Sequence, residues 1–249
     1  MSKKHTYYQL NPQTYDDQFW WKKDDIEFWK KILHPKSNSV LEIASGTGRL
    51  AEPLIREGFN YTGLEISDDY CKYANNKLQK ICEKQFVVQG DMRYFNFNKK
   101  YDRVFIPFNS LLHILNENDL LITFKQIRKH MHSNSQFFID IFVPHQEYLI
   151  SSNHLEKRVE FFNSINKKET IIKEKTIYNS DTEIIQVSWY YEHNKEIYQE
   201  FVFDMKIYYP DTMNRILVDS GFEVLNVWGD YNQSTLSEKS NLQIYKCQI

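Results

Sequence analysis

Two closely spaced glycines and two acidic residues are the positions in this sequence best suited to hold a ligand. Gly46 and Gly48 lie between the apolar run Val40–Ile43 and a helix-like segment. Glycines in such a turn let the backbone approach a ligand closely. Glu65 ends the second apolar run, 65 − 46 = 19 residues after the first glycine, and Asp91 follows the third run. This spacing predicts a site for a nucleotide-like ligand whose ribose hydroxyls bind Glu65.

The glycine spacing alone does not separate two kinds of enzyme. Gly46-x-Gly48-x-x-Ala51 also fits the fingerprint of nicotinamide dinucleotide sites, so a nicotinamide enzyme and an S-adenosylmethionine (SAM) enzyme both stay open here. Two features favour SAM. Roughly 35 residues precede the glycine run, whereas nicotinamide-binding domains more often begin with it. Glu42 lies just before the turn, and Gly90-Asp91-Met92 offers an acid to an adenine amine. A helix-capping role for the glycines is the simpler alternative.

Short apolar runs alternate with helix-like segments at both ends of the chain, which is typical of a doubly wound, mostly parallel sheet. We predict an α/β fold with a seven-stranded Rossmann-like sheet. The predicted strands are 39–43, 61–66, 85–89, 101–107, 137–143, 222–229 and 241–247. The predicted helices are 49–57, 68–82, 116–131 and 211–220, with two more within 12–34, the second capped by Asp24 or Asp25.

After about Pro144 the hydrophobic pattern changes to alternation. Apolar residues recur at every second position on two faces, formed by Ile185, Val187, Trp189 and Tyr191, and by Ile197, Phe201, Phe203, Met205 and Ile207. We therefore predict an inserted antiparallel β-sheet of about four strands after the fifth strand. The predicted domains are an N-terminal helical lid (1–36), the cofactor-binding domain (37–145 and 210–249) and the inserted sheet (146–209).

Four segments resemble class I SAM-dependent methyltransferases, in the order in which that family carries them. VLEIASGTGRLAEPLIREGFNYTGLEIS (40–67) resembles the first motif, QGDMRYF (89–95) the adenine motif, YDRVFIPFNSLLHI (101–114) the fourth strand, and SGFEVLNVWGDY (220–231) the closing strands. Ala44 stands where many members have glycine. The inserted sheet is similar to that of small-molecule members, notably sugar N-methyltransferases and the glycine N-methyltransferase-like group.

This resemblance implies SAM as the cofactor, S-adenosylhomocysteine as the product and a set of cofactor-binding residues. In that interpretation Glu65 accepts the ribose hydroxyls, Asp91 binds the adenine amine, and Phe108 lies near the sulfonium. The remaining cofactor-binding candidates are Glu42, Ala44, Gly46, Gly48 and Arg49 around the methionine half of SAM, and Ile66 and Met92 against the adenine.

The catalytic candidates come from segments that would face the methyl group. His113 is the first choice as a general base, since similar sugar N-methyltransferases place a histidine at the matching position near the substrate amine. Tyr15 resembles the family's N-terminal Tyr-Asp element that closes over the cofactor, and His145 is a third candidate. Each of the three also has a plain packing role as its alternative.

Composition limits the other classes. The 31 basic and 33 acidic residues give a net charge of −2, which argues against a nucleic-acid binder. The 3 cysteines are not paired in a C-x-x-C motif, so we expect neither a metal site nor a disulfide framework. Aromatic residues make up 16% of the chain, and we expect part of them to line a substrate pocket in the lid and the inserted sheet. No apolar run suits a signal peptide or a membrane span, so we predict a cytoplasmic protein.

We therefore predict an enzyme that moves a methyl group from SAM to an amine or hydroxyl of a small molecule. The expected partner is that small molecule, not a nucleic acid or a membrane, and the interpretation allows a homodimer. Three alternatives stay open: a nucleic-acid or protein methyltransferase, a catalytically silent SAM-binding module, and a nicotinamide oxidoreductase. Ile106-Pro107-Phe108-Asn109 lacks the Asn/Asp-Pro-Pro-aromatic element of enzymes that methylate base or glutamine amides.

Overall fold

The computed structural model describes residues 9–36, 38–81, 83–149 and 155–249, and within this part of the chain it contains two β-sheets. The larger sheet has seven strands: β1 (Ser39–Ile43), β2 (Asn60–Glu65), β3 (Val87–Gln89), β4 (Tyr101–Ile106), β5 (Met131–Phe142), β10 (Glu223–Trp228) and β11 (Leu242–Gln248). The smaller sheet has four strands: β6 (Glu156–Asn163), β7 (Lys168–Asn179), β8 (Ile184–His193) and β9 (Glu196–Lys206).

The order of the larger sheet is β10-β11-β5-β4-β1-β2-β3. The first five strands pair in parallel, whereas β11 is antiparallel to both β5 and β10. Strand β1 lies between β2 and β4, so the chain leaves β1 towards one edge and later returns to its other side. Ligands of open α/β sheets bind outside the carboxyl ends of the strands at such a reversal point.

Five of the described helices are associated with the larger sheet. They are α2 (Ile26–Ile32), α3 (Ala51–Arg56), α4 (Asp68–Leu78), α5 (Glu117–Lys129) and α7 (Pro210–Asp219). The Ser67 hydroxyl caps α4, and the Asn116 side chain caps α5. The apolar faces of α2, α3 and α4 pack with the central strands into one core, in which the Trp29 and Phe105 rings lie 4.7 Å apart.

The smaller sheet is antiparallel throughout and carries helix α1 (Pro12–Gln18). The Tyr191 hydroxyl donates to Gln18 Oε1 (2.8 Å), and Asp17 accepts from the Ser164 backbone N–H (2.6 Å). These bonds attach α1 to the sheet that the chain forms almost 150 residues later. The short helix α6 (Gln146–Leu149) also contacts this sheet at β7.

Chain contacts divide the described residues into two compact units. One contains the residues up to Lys23 and Pro144–Tyr208; the other contains Asp24–Val143 and Tyr209–Ile249. Helix α2 therefore belongs with the seven-stranded sheet, and α1 belongs with the four-stranded sheet. No helix in the described residues is both long enough and apolar enough to cross a membrane.

The predicted architecture is confirmed: a mostly parallel seven-stranded sheet, with an antiparallel sheet inserted after its fifth strand. Four details of its elements differ most from the prediction. Helix α5 ends at Lys129, and β5 begins at Met131 instead of the predicted residue 137. The strand begins early because Met131 pairs with Tyr101 of β4, and Gln136 pairs with Arg103 beyond an irregularity in the pairing. Helix α4 ends at Leu78, before Cys82, which lies outside the described residues, and α3 begins at Ala51 instead of Arg49.

The fourth detail concerns one face of β9. Ile197 is 50% exposed, whereas Phe201 and Phe203 are buried as predicted. The pairing of β8 with β9 shifts between Tyr191 and Glu192, so one residue of β9 is extra there. A bulge of this kind moves the side chains beyond it to the opposite face.

Candidate functional site

The predicted cofactor residues of the seven-stranded unit lie at the carboxyl ends of β1, β2, β3 and β4. The turn after β1 holds three residues in the left-handed region: Ala44 (φ 58°), Gly46 (φ 56°) and Gly48 (φ 76°). A Cβ atom on Gly46 would meet no atom within 4 Å, whereas one on Gly48 would lie 3.4 Å from Ala74 Cβ on α4. Gly46 therefore presents an open backbone face to a ligand, and Gly48 lets the turn pack closely against α4.

Glu65 closes this glycine turn from the end of β2. Its Oε2 accepts from the Gly46 N–H (2.8 Å), and its Oε1 accepts from the Ser67 N–H (2.9 Å). Burial raises the pKa of the Glu65 carboxyl, and the backbone donors act in the opposite direction. A carboxylate has about four lone-pair sites, so Glu65 can be fixed by the backbone and still accept ligand hydroxyls.

Glu42 lies beneath the same turn and is 3% exposed. The Tyr61 hydroxyl donates to Glu42 Oε2 (2.6 Å), but burial dominates and raises the pKa of Glu42 to about 8. A positive group beside a buried carboxyl favours its charged form. Glu42 can therefore stabilise an ammonium group brought to the turn.

The residues predicted to hold an adenine follow β2 and β3, and they are partly exposed. Ile66 is 39% exposed, and Met92 is half-buried. Asp91 forms a forked pair with Arg93, whose Nη2 lies 2.6 Å from Asp91 Oδ2, and this pair lowers the pKa of Asp91. Arg93 also donates to Asp119 of α5 (2.8 Å). Asp91 is thus a fixed carboxylate next to an apolar surface that could pack against a flat ring.

Arg49, predicted to bind the cofactor, has a protein partner. Its Nη1 and Nη2 atoms each lie 2.7 Å from one oxygen of Asp25, which is completely buried. Its guanidinium carbon lies 5.3 Å from the centre of the Phe108 ring. Asp25 stands at the N-cap of α2 but makes no side-chain capping bond, so its predicted capping role was wrong. The pair instead joins α2 to the glycine turn.

The candidate substrate-side residues follow β4. Phe108 is half-buried and begins a left-handed turn, and His113 lies in the 3₁₀ segment Ser110–His113 that follows at once. Tyr15 belongs to the other unit, on α1, where its ring lies 4.8 Å from that of Phe19. His145 precedes α6 in that same unit. The roles of Tyr15, His113 and His145 stay predictions.

Sequence patterns did not identify the contacts of five residues that fix this site: Asp25 with Arg49, Tyr61 with Glu42, Arg93 with Asp91, and Asp140, which binds the turn after β4 and accepts from Tyr231. Only Arg93 left a visible signal, since it stands two residues after Asp91. The other four bind partners that lie 19 or more residues away along the chain. Among the described residues, no group of histidine, cysteine and acidic side chains is arranged to hold a metal ion.

With this geometry established, comparison with known proteins identifies the central segment. A family model described as a methyltransferase domain matches residues 40–134, from β1 into β5. In this segment the chain is similar to methyltransferase domains. The match covers the glycine turn, Glu65, Asp91 and the turn after β4, so the predicted resemblance to class I methyltransferases is confirmed.

Individual relatives of the methyltransferase domain extend beyond it. YqeM of Bacillus subtilis (strain 168), provisionally named a methyltransferase, is 21% identical over 88% of this chain and 87% of its own length. The dTDP-3-amino-3,4,6-trideoxy-α-D-glucopyranose N,N-dimethyltransferase of Streptomyces venezuelae is 29% identical over 43% of this chain and 44% of its own.

Solved structures are similar over nearly the whole chain. SAM-bound CalS10, an amino pentose methyltransferase from Micromonospora echinaspora, has a TM-score of 0.70 at 14% identity and covers 99% of both chains. At this identity the likeness shows the fold, including the inserted sheet.

Proposed function

We propose that this chain transfers a methyl group from SAM to the amine nitrogen of a small amino sugar. The observation that carries the cofactor assignment is the closure of the glycine turn by Glu65, whose two oxygens bind the Gly46 and Ser67 N–H groups. That arrangement fixes a carboxylate at the end of β2, where a ribose diol binds in sheets of this kind. The amine acceptor is supported by the names of the Streptomyces and Micromonospora relatives.

When bound, SAM supplies an activated methyl group on a positively charged sulfur. The protein's own contribution is then mainly orientation. The glycine turn and Glu42 would hold the amino acid end of SAM, Glu65 would hold the ribose, and Ile66, Asp91 and Met92 would hold the adenine. Holding two reactants in line can supply roughly 7–11 kcal/mol of the barrier. His113 accepts the proton that the substrate amine loses, a step that contributes about 10²–10⁴-fold.

The cofactor assignment is tested by ligand-induced thermal stabilisation. S-adenosylhomocysteine at 100 times its dissociation constant should stabilise the protein by about 2.7 kcal/mol, and NAD at the same concentration should give no shift. Stabilisation by NAD without stabilisation by S-adenosylhomocysteine would contradict a SAM site.

The acceptor is tested separately with dTDP-3-amino-3,4,6-trideoxy-α-D-glucopyranose and its 3-hydroxyl analogue, by following release of S-adenosylhomocysteine. We expect turnover with the amine only. Turnover with the hydroxyl compound alone would overturn the choice of nitrogen. His113→Gln should then lower kcat about 10²-fold at saturating SAM, and unchanged turnover would remove His113 from the chemistry.

A further inference from the structure

The turn that follows β4 has a backbone conformation that its residues do not favour. Phe108 (φ 52°) and Asn109 (φ 62°) are consecutive residues in the left-handed region. Asparagine tolerates this region, but for a bulky residue such as phenylalanine it is a true outlier. Such a residue is strained and persists only where its surroundings hold it.

Three hydrogen bonds from β5 hold this turn. The Phe108 N–H donates to Asp140 Oδ2 (3.3 Å), and the Asn109 N–H donates to the Asp140 backbone oxygen (3.0 Å). In the opposite direction, the Phe142 N–H donates to Asn109 Oδ1 (2.8 Å). The side chain and the main chain of Asp140 therefore bind two successive N–H groups of the strained turn.

The Asp140 side chain is itself held in place. It is 1% exposed, and the Tyr231 hydroxyl donates to the same Oδ2 atom (2.7 Å). Tyr231 lies between β10 and β11, and its ring centre is 5.3 Å from that of Phe28 on α2. Burial beside Asp140 raises the pKa of the Tyr231 hydroxyl strongly, so this group stays a donor over the whole working range.

We propose that Asp140 and Tyr231 are positioning residues: they hold the Phe108–Asn109 turn, and with it the His113 segment, in the arrangement that methyl transfer requires. This inference rests on the proposed function, because the turn is assigned to the substrate side on that basis. Neither residue touches the reacting atoms. Asp140, held by Tyr231, accepts from the Phe108 N–H and so fixes the position of the Phe108 ring. That ring also lies against the Arg49 guanidinium.

The strained residues indicate that this turn has a functional role and does not only reverse the direction of the chain. Glycine would adopt both left-handed conformations without the steric cost. The sequence instead keeps a half-buried aromatic residue there and holds it with the buried carboxyl of Asp140, which is bound in turn by the hydroxyl of the half-buried Tyr231. Strained residues held in this way concentrate at functional sites, where the strain pre-organises the site.

The decisive variant is Tyr231→Phe, which removes one hydroxyl and keeps the ring on Phe28. Its matched control is Tyr245→Phe, which removes a buried hydroxyl whose acceptor, at 2.7 Å, is Gln243 on β11 and not Asp140. With dTDP-3-amino-3,4,6-trideoxy-α-D-glucopyranose as acceptor, Tyr231→Phe should lower kcat at least tenfold. Its dissociation constant for S-adenosylhomocysteine should stay within threefold of the parent value. Tyr245→Phe should stay within twofold of the parent in both.

Rescue by the conservative variant separates positioning from general destabilisation. Asp140→Asn keeps a carbonyl oxygen that can accept from both Phe108 and Tyr231, so it should retain at least a third of the parent kcat, whereas Asp140→Ala should not. Equal losses in Asp140→Asn and Asp140→Ala, parental kcat in Tyr231→Phe, or an equal loss in Tyr245→Phe would each overturn the proposal.

A measurement of hydrogen–deuterium exchange needs no substrate, so it tests the support of the turn independently of the proposed function. Hydrogen–deuterium exchange of residues 108–114 should be at least tenfold faster in Tyr231→Phe than in the parent, and unchanged in Tyr245→Phe. Parental exchange in Tyr231→Phe would show that the turn does not depend on this hydroxyl, whatever the cofactor. Failure of the parent protein to bind S-adenosylhomocysteine would instead refute the proposed function.

Discussion

Glu42 and Glu65 are both acidic residues buried around the glycine turn, but different partners compensate their burial. Backbone N–H groups bind both oxygens of Glu65, which is the environment of a carboxylate prepared to accept ligand hydroxyls. Glu42 receives the Tyr61 hydroxyl, and its pKa is raised to about 8 because burial outweighs that bond. Without a ligand, Glu42 is therefore mostly protonated at neutral pH.

This shift predicts how stability depends on pH. Folding raises the pKa of Glu42 from 4.5 to about 8, so between these values the folded protein keeps a proton that the unfolded chain has lost. The associated stability is fully present below about pH 4.5 and is lost as the pH rises through 8. We expect Glu42→Gln, which cannot ionise, to gain free energy of unfolding relative to the parent between pH 5 and pH 8. The gain should be at most about 1.4 kcal/mol per pH unit in urea titrations.

Glu238→Gln, an exposed position, controls for the loss of one negative charge. A difference between Glu42→Gln and the parent that stays constant from pH 5 to pH 8 would show that Glu42 is ionised in the folded protein.

At the scale of elements, local patterns predicted the strands and helices because their signals are local. The run Val40–Ile43 became β1 because four of its residues are buried, and Pro210 became the first residue of α7 because proline fits the first turn of a helix. Asn116 caps α5 through its own side chain. Each of these signals spans only a few residues.

The errors and omissions arose where distant residues decide the structure. The early start of β5 depends on pairing with Tyr101 of β4, and the bulge in β9 depends on its register with β8. Asp140 and Tyr231 are separated by 91 residues, and nothing in their spacing indicates that they share one strained turn. The cofactor side of the site could be predicted from its motif, but the support around the turn after β4 could not.

The glycine turn allows a matched test of ligand approach. Gly46 (φ +56°) and Gly58 (φ +92°) are both left-handed, and a Cβ atom at either would meet no atom within 4 Å. Gly46→Ala and Gly58→Ala should therefore lower the free energy of unfolding by similar amounts, about 1–2 kcal/mol. Gly46→Ala should also weaken S-adenosylhomocysteine binding at least tenfold in calorimetry, because its methyl group occupies the open face. Gly58→Ala should bind as the parent does, and equal affinities for the two variants would place the ligand elsewhere.

At the scale of the whole molecule, the two compact units differ in what they contribute. The seven-stranded unit contains the glycine turn, Glu42, Glu65, Asp91 and the turn after β4, and the methyltransferase family model matches residues 40–134 within it. The four-stranded unit contains α1 with Tyr15 and an aromatic core in which the Trp189 and Phe203 rings lie 4.8 Å apart. The family match therefore covers the residues predicted to bind the cofactor and ends before the inserted sheet. That the inserted sheet determines which acceptor is bound stays a prediction.

This division predicts which backbone segments become protected from hydrogen exchange when the cofactor binds. Hydrogen–deuterium exchange with and without S-adenosylhomocysteine should show protection at 42–48, 65–67 and 91–93, because ligand contacts and exclusion of water both slow the opening of those backbone bonds. The strands β6 to β9 should show no comparable change, since their hydrogen bonds close within their own sheet. Protection of residues 12–18 would support the predicted closure of the Tyr15 segment over the cofactor. Protection centred on 156–206, with none at the glycine turn, would contradict the cofactor assignment and would place the nucleotide on the inserted sheet.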